Sequence, residues 1–328
     1  NYNITYNTGA LTVTKAPLGI SLVATYSGST TVTPDTFVIT GLKNGEVIGN
    51  IATATMNNKD VSSANNYVTG ITLGASGNTA TLSNYDITYA YNGSSGTTTT
   101  NNATLSKAPL GILVSATYNG TTYLAAIDNL VVSTTGLLGS DTISAVTVNN
   151  ANVASNGANY VTGISGGTAS LSNYTITAGY NGATSPSGTF SGSPLSTPTS
   201  TSNSVWVNQV ANPLAITLSG TYNGTTSYTN GVAGTSIVVN GLVSADVGKR
   251  VISVTLNGKN VGSGVHIETI DSAEFTISNY SINAGYYITG ASIGSPVVGS
   301  RASDSTNAAS LSTASLSVTA NAATKVYG

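Results

Sequence analysis

The chain has 328 residues, of which 40% are hydrophobic, enough to build two or three domains with cores of their own. Only 6% of the residues are charged and the net charge is −2, which excludes the basic surface that nucleic-acid binding requires and favours an extracellular scaffold. The absence of cysteine excludes disulfides and thiolate metal sites, and no apolar run approaches the roughly 18 residues needed to span a bilayer.

Taken in chain order, the first third of the sequence predicts short strands separated by turns. These segments alternate apolar and polar residues, are rich in β-branched residues or Tyr, and are bounded by Gly, Asn and Ser. The predicted strands are Ile20 to Tyr26, Thr36 to Leu42, Asn50 to Met56, Asn66 to Leu73, Asn84 to Tyr91 and Asn102 to Ser106. No window of helical length carries a capped apolar stripe, so almost no helix is expected. This number and spacing of short strands is typical of a small antiparallel β-sandwich of immunoglobulin-like type.

Three phrases then recur in the same order along the chain. The opening phrase reads ATYSGST, ATYNGTT and GTYNGTT, a middle phrase reads TMNNKDV, TVNNANV and TLNGKNV, and the third phrase is SNY. The tyrosines of the first and third phrases, which we expect to mark the repeated fold, are Tyr26, Tyr118, Tyr222, Tyr85, Tyr174 and Tyr280. The separation between the two tyrosines of a repeat is nearly constant, whereas the stretch that follows varies in length. This difference predicts that each repeat has a folded body of fixed length, followed by a segment that tolerates changes in its length.

The repeats predict a tandem array of three sandwiches, at 15–106, 107–209 and 210–312. Residues 1–14 are expected to be the end of a preceding repeat, and residues 313–328 the start of a following one. Pro17 and Pro109 stand in the segments that would join one sandwich to the next, where their fixed φ stiffens the joint. The variable stretch of the second repeat is rich in Pro, Ser and Thr and is predicted to be an exposed spacer.

These phrases resemble the YDG- and MBG-type repeats of large bacterial surface adhesins of the filamentous-haemagglutinin, two-partner-secretion kind. The matching stretches are TYNGTT at 117–122 and 221–226, GLKNGE at 41–46, GKNVGSG at 258–264 and NYTIT at 173–177. One departure is that Ser27, Asn119 and Asn223 stand where the family usually has Asp. The resemblance implies an exported cell-surface or matrix protein with a role in adhesion or biofilm formation.

The aromatic residues offer one candidate for ligand contact. The repeated tyrosines are expected to close the ends of the sandwiches, with buried rings and hydrogen-bonded hydroxyls, rather than to form a platform for carbohydrate. Trp206 is the only tryptophan and lies in a variable stretch. Because binding residues concentrate in loops, Trp206 is the aromatic residue that we expect to contact a ligand, if there is one.

Residues able to perform chemistry are scarce. His266 is the only histidine and lies in the alternating run GVHIETI, which favours a surface strand residue over a catalytic base. Glu268, Asp271 and Glu274 form an acidic cluster without counterparts in the other repeats, which favours turn or surface charges over Ca²⁺ ligands. We therefore predict no catalytic, cofactor-binding or metal-binding residue, and no enzyme activity.

The sequence predicts a structural stalk segment of a large extracellular adhesin or biofilm-matrix fibre, which holds a binding region away from the cell. The alternative is a subunit of an extracellular filament or sheath that assembles by strand addition between chains. The expected partners are further copies of the protein itself, or a polysaccharide of the cell surface or matrix. Neither a nucleic acid nor a membrane span in this segment is expected.

Overall fold

The computed structural model describes residues 1–6, 8–87, 91, 100–181, 197–262, 265–282, 287–288, 309–319, 323 and 325. Strands dominate these residues, and the helices among them are short 3-10 turns of three residues each. These turns are Leu82–Asn84, Ala126–Asp128, Val153–Ser155, Ser244–Asp246 and Ile277–Asn279. The prediction of an all-β protein is confirmed. In the described part of the chain, no helix is long and apolar enough to cross a membrane.

We call residues 15–106, 107–209 and 210–312 units 1, 2 and 3. The strands of unit 1 are β1 (Ala16–Thr25), β2 (Thr31–Val32), β3 (Pro34–Thr40), β4 (Ile51–Met56), β5 (Val68–Leu73), β6 (Tyr85–Ile87) and β7 (Asn101–Ser106). Each of the six strands predicted in unit 1 overlaps a strand of the structure. β1 begins earlier than its apolar alternation predicts, and residues 88–90 of the predicted strand Asn84 to Tyr91 lie outside the described residues.

The strands of units 2 and 3 follow the same succession, with one additional strand, β21, in unit 3. Unit 2 contains β8 (Ala108–Thr117), β9 (Tyr123–Ala125), β10 (Val131–Thr135), β11 (Ala145–Val148), β12 (Val161–Ser165), β13 (Tyr174–Ile176) and β14 (Asn203–Asn208). Unit 3 contains β15 (Val210–Thr221), β16 (Ser227–Thr229), β17 (Thr235–Asn240), β18 (Val251–Leu256), β19 (Ile267–Ala273), β20 (Tyr280–Ile282), β21 (Tyr287–Ile288) and β22 (Ala309–Ser312).

Each unit forms two sheets, and its first strand is central to one of them. In unit 1, β1 pairs antiparallel with β3 and in parallel with β7, while its first three residues pair in parallel with β6. β4 lies between β2 and β5 in the second sheet, which is antiparallel. The corresponding sheets are β10-β8-β14 and β12-β11-β9 in unit 2, and β17-β15-β22 and β16-β18-β19-β21 in unit 3.

In each unit the sheet that contains the first strand is therefore mixed, where the sequence predicted antiparallel sheets, whereas the second sheets of units 1 and 2 are antiparallel. A parallel neighbour requires a crossover connection, and the stretch of variable length lies where that crossover is needed. It joins β6 to β7 and β13 to β14, inside the unit, and does not follow the folded body as the repeat spacing predicted. The predicted Pro-rich spacer runs from 182 to 206. Its residues 182–196 lie outside the described residues, and its last residues, from Asn203, belong to β14.

The two sheets of unit 1 enclose a hydrophobic core between them. Its buried members on β1, β4 and β5 are Leu18, Ile20, Leu22, Ala24, Ile51, Ala54, Met56 and Val68. Alternate residues of β1 point inward, which is the period of two that predicts the strand from the sequence. Burying a large aliphatic side chain contributes about 1.5–3 kcal/mol, so this core stabilises the unit mainly through the hydrophobic effect.

The connection between consecutive units is a single residue. Lys107 alone separates β7 from β8, and Gln209 alone separates β14 from β15. Pro17 and Pro109 were expected in the joining segments, but they lie inside β1 and β8, paired in parallel with Asp86 and Thr175. A one-residue connection leaves little freedom for one unit to rotate against the next.

The two ends of the chain form no strands among their described residues. Residues 1–6 and 8–14 are exposed, and so are residues 313–319. Tyr327, which the repeat pattern places in the opening phrase of a following unit, lies outside the described residues.

Candidate functional site: the joint between consecutive units

The opening-phrase tyrosine of one unit contacts the following unit. Tyr26 of unit 1 donates a hydrogen bond to Asp141 Oδ2 of unit 2 over 2.8 Å, and Tyr174 of unit 2 donates to the same oxygen over 2.7 Å. The two rings meet edge to face, with centroids 5.3 Å apart and an interplanar angle of 79°. The sequence predicted buried rings with bonded hydroxyls, but it assigned each tyrosine to the end of its own sandwich.

The same arrangement joins unit 2 to unit 3. Tyr118 of unit 2 and Tyr280 of unit 3 donate hydrogen bonds to Asp246 Oδ2 over 3.1 Å and 2.5 Å. Their ring centroids lie 5.7 Å apart at an angle of 76°, and Phe275 packs against Tyr280 from another side. Tyr118 and Tyr280 belong to one buried cluster that contains residues of both units, so the two cores are continuous across the joint.

The acid of the joint between units 1 and 2 lies in a loop that a glycine allows to pass close to the first strand of unit 2. Gly136 has φ +82°, and a Cβ at this position would lie 2.4 Å from the carbonyl oxygen of Pro109. Asp141 follows five residues later in the loop between β10 and β11. Leu138, in the same loop, donates its backbone N–H to Tyr174 Oη over 3.0 Å. The loop therefore fixes both the acid and the tyrosine that binds it.

A lysine accompanies each acid, although it comes from opposite sides of the two joints. Lys59 of unit 1 lies 3.6 Å from Asp141 Oδ1, across the joint, and Lys249 of unit 3 lies 2.6 Å from Asp246 Oδ1 of its own unit. Both carboxylates are almost completely buried, at 1% and 3% exposure of the side chain. A buried carboxylate of this kind is tolerated because hydrogen bonds and a cation compensate its lost hydration.

The environment of the joint shifts the pKa values of its groups in opposite directions. Burial opposes the ionisation of Asp141, but the hydrogen bonds from Tyr174 and Tyr26 and the charge of Lys59 outweigh it and hold the pKa of Asp141 below its usual 3.8. Burial and the bond to Asp141 raise the pKa of Tyr26 from 10.0 to about 12. At neutral pH the joint thus contains an ionised acid and neutral tyrosines, which is the state that its hydrogen bonds require.

An asparagine makes a second bridge at each joint. The SNY residue Asn173 accepts a hydrogen bond from the backbone N–H of Val61 over 2.9 Å and donates to Asp60 Oδ1 over 2.8 Å. At the next joint, Asn279 accepts from the backbone N–H of Val153 over 2.8 Å and donates to Asn152 Oδ1 over 2.7 Å. The middle phrase of one unit is in this way bound to the SNY phrase of the next.

Glycines allow the opening phrase to approach the neighbouring unit. Gly28 has φ +79°, and a Cβ built there would lie 2.7 Å from the backbone nitrogen of Gly139 in unit 2. A Cβ at Gly120, with φ +84°, would lie 2.3 Å from the Cβ of Ala245 in unit 3. Since real Cβ atoms do not approach other atoms so closely, neither joint leaves room for a side chain at these two glycines.

Trp206 lies in a strand, where the sequence expected a variable loop. It belongs to β14, which pairs in parallel with β8, and its Nε1 donates a hydrogen bond to Asn208 Oδ1 over 3.1 Å. Its neighbours Val205 and Val207 are buried in the core, so Trp206 points to the other face of the strand, where it is partly exposed.

Three of the residues that were considered for catalysis or metal binding form hydrogen bonds or ion pairs with neighbouring residues. Glu274 forms an ion pair with Arg250 over 2.9 Å, and Asp271 accepts a hydrogen bond from Thr255 over 2.8 Å. The backbone N–H of His266 donates to Asn257 Oδ1 over 2.9 Å. Among the described residues, no group of three His, Asp or Glu side chains is placed to hold a metal ion.

Asp141 and Asp246 were not singled out from the sequence, although a signal for them exists. Each acid follows a Gly-Leu pair at a fixed distance, with Glu46 after Gly41, Asp141 after Gly136 and Asp246 after Gly241. Comparisons of the chain with protein-family models, with curated proteins and with solved structures each found no match.

Proposed function

We propose that the chain is a non-catalytic structural stalk segment of an extracellular adhesin or matrix fibre. The observation that carries this proposal is the repeated joint, in which a one-residue connection, a buried Tyr-Asp-Tyr cluster and an Asn bridge hold each unit against the next. A stalk transmits force and keeps its direction only if consecutive units do not bend freely at their connections. In repeat proteins this property comes from the interfaces between neighbouring units.

The composition and the phrases support an extracellular location for such a stalk. With 6% charged residues and no cysteine, the surface is neutral and rich in hydroxyl and amide groups, and the chain cannot be crosslinked by disulfides. The three phrases resemble those of YDG- and MBG-type adhesin repeats, in which such units follow one another in long arrays. Other copies of the protein, or a surface or matrix polysaccharide, are the partners that this function implies.

The alternative of strand addition between chains has less support. The last strand of units 1 and 2 pairs in parallel with the first strand of its own unit, along β1 and β8 respectively. Each of these units therefore completes its own sheet from within its own sequence, and a strand from another chain is not needed to fill a gap.

Two measurements test the proposal. Antibodies against the chain should label intact, unpermeabilised cells or the surrounding matrix, and a signal confined to the cytosolic fraction would refute the extracellular role. Nitrogen-15 relaxation should give the three units of the purified chain a common anisotropic tumbling, because the joints prevent independent rotation. Three separate, shorter correlation times would show that the units are beads on a flexible string and would refute the stalk.

A further inference from the structure

The two joints share the Tyr-Asp-Tyr cluster but differ in the charges around it. We call the joint between units 1 and 2 the first joint and the joint between units 2 and 3 the second joint. At the first joint, the ammonium group of Lys59 lies across the joint from Asp141, 3.6 Å from its Oδ1. Ala151 stands at the place of Lys59 in the middle phrase of unit 2. The lysine of the second joint, Lys249, pairs with Asp246 inside unit 3. Of these two ion pairs, one therefore connects two units and the other does not.

The apolar contacts of the two joints differ in the opposite sense. At the second joint, Phe275 packs edge to face against Tyr280, with ring centroids 5.5 Å apart and an interplanar angle of 78°. At the same distance before the SNY tyrosine, unit 2 has Ala169. Phe275 is buried in the cluster that also contains Tyr118 of unit 2. Since an aromatic ring buries far more apolar surface than a methyl group, the second joint gains more from the hydrophobic effect.

The buried clusters show where the cores of the units join. One cluster contains core residues of both unit 2 and unit 3, from Ile112 in β8 to Ile270 in β19 and beyond. The buried core of unit 1 is a separate cluster, whose buried members all lie in unit 1. At the first joint, a small third cluster consists of Tyr26 of unit 1 with Ala108, Leu110, Ala169 and Tyr174 of unit 2. Val61, which is partly buried, packs against both this small cluster and the core of unit 1. Fully buried apolar surface is thus continuous across the second joint and divided at the first.

The two kinds of contact differ in how they couple neighbouring units. A continuous core couples units strongly, because unfolding of one unit exposes apolar surface of the other to water. An ion pair with a partly exposed lysine couples them weakly, since water and salt screen it. The side chain of Lys59 is 36% exposed. These differences favour opening at the first joint before the second.

We propose that units 2 and 3 unfold as one cooperative block, and that the first joint is the place where the stalk yields under load. Unit 1 then separates from unit 2, or unfolds, while units 2 and 3 keep their shared core. A joint that yields lets a stalk lengthen without losing the fold of the units beyond it. This proposal rests on the stalk function proposed above and describes how the stalk responds to load. It concerns unfolding, so its failure would leave the rigid native joints, which the relaxation measurement tests, unaffected.

Trp206 allows unit 2 to be observed by itself. It is the only tryptophan of the chain and lies in β14 of unit 2. Its fluorescence therefore reports the unfolding of unit 2, whereas circular dichroism reports the β-structure of all three units. In urea, the dichroism should show two transitions, and the fluorescence should follow one of them alone.

Two matched variants test which units unfold together. Leu22 and Leu218 occupy the same place in the first strands of units 1 and 3, and they are 3% and 2% exposed. Leu218→Ala should lower the urea midpoint of the Trp206 signal by at least about 1 M, because the cavity lies in the core that unit 3 shares with unit 2. Leu22→Ala should leave this midpoint unchanged and lower the midpoint of the other dichroism transition.

Either variant can overturn the proposal. If Leu22→Ala lowers the Trp206 midpoint as much as Leu218→Ala does, all three units unfold together. If Leu218→Ala leaves the Trp206 midpoint unchanged, unit 2 unfolds without unit 3. Both outcomes contradict a block made of units 2 and 3.

Trypsin gives a second readout, which compares the opening of the two joints. Lys107 is the one-residue connection at the first joint and Gln209 is the connection at the second. The substitution Gln209→Lys gives the second joint a trypsin site as well. Under native conditions, cleavage after Lys107 should be at least about tenfold faster than cleavage after residue 209, because cleavage follows the population of the opened joint. Equal rates, or faster cleavage after residue 209, would overturn the proposal.

Discussion

Tyr118 donates a hydrogen bond to Asp246, a residue 128 positions further along the chain, and Tyr26 makes the same bond to Asp141 in the unit that follows it. The opening-phrase tyrosine of one unit therefore binds the following unit. Within unit 2, Tyr118 reaches the joint with unit 3 and Tyr174 reaches the joint with unit 1, so the nearly constant distance from the opening phrase to SNY spans one unit from joint to joint.

Gly28→Ala should weaken the joint between units 1 and 2 more than Gly224→Ala weakens any part of unit 3. Both glycines have positive φ, +79° and +81°, so the two substitutions share a cost of about 1–2 kcal/mol for placing an alanine in the left-handed conformation. Only the alanine at Gly28 would also collide with Gly139 across a joint. Urea denaturation of both variants, compared with the unaltered chain, measures the difference. Equal losses of stability in the two variants would mean that Gly28 does not contact unit 2.

Asn173→Ala should destabilise the chain by about 1–3 kcal/mol, because it leaves the backbone N–H of Val61 without its acceptor in a partly buried place. Asn84→Ala is the matched control, since Asn84 has the same place in the SNY phrase of unit 1 and is exposed. The control should change the free energy of unfolding by no more than about 0.5 kcal/mol. Similar values for the two variants would contradict the bridge between units.

Stability should decrease at acidic pH through the joint acids. The folded-state pKa values of Asp141 and Asp246 are lowered, so their contribution is present above their usual value of 3.8 and is lost as the pH falls through the lower folded-state values. Denaturation midpoints measured from about pH 6 to about pH 2 should therefore fall below about pH 4. The double variant Asp141→Asn with Asp246→Asn should show a smaller decrease, and an unchanged decrease would assign the acid sensitivity to other carboxylates.

Stability should also decrease at alkaline pH through the joint tyrosines. The pKa of Tyr26 is raised from 10.0 to about 12, so its contribution is complete below pH 10.0 and is lost as the pH rises towards 12. Tyrosine ionisation, followed by ultraviolet absorbance, should show a late-titrating group in the folded chain that Tyr26→Phe removes. Titration of every tyrosine near its ordinary pKa would contradict the burial of the joint hydroxyls.

Much of unit 1 could be predicted from local pattern. β4, β5 and β7 begin and end within about two residues of the predicted strands, because alternate burial leaves a period of two in the sequence. β14 has the same signal, with Val205 and Val207 buried on either side of Trp206. Its Ser- and Thr-rich surroundings nevertheless favour a spacer, so the strand and its parallel pairing with β8 were not predicted.

The joints could be predicted only in part. The spacing of Asp141 from Gly136 and of Asp246 from Gly241 is visible in the sequence and indicates a repeated role for the acid. A local pattern does not show which tyrosine of another unit binds the acid, because Tyr26 lies 115 positions before Asp141. The side of the joint that contributes the lysine also differs between the two joints, so no single spacing describes it.

A double-mutant cycle between Tyr118→Phe and Asp246→Asn measures the bond between the opening tyrosine of one unit and the acid of the following unit. From urea denaturation of the four chains, we predict a coupling free energy of at least about 1 kcal/mol, as expected for residues in one buried hydrogen-bond network. The parallel cycle of Tyr222→Phe with Asp246→Asn should give a coupling close to zero. A coupling close to zero for Tyr118 and Asp246 as well would contradict the joint on which the stalk depends.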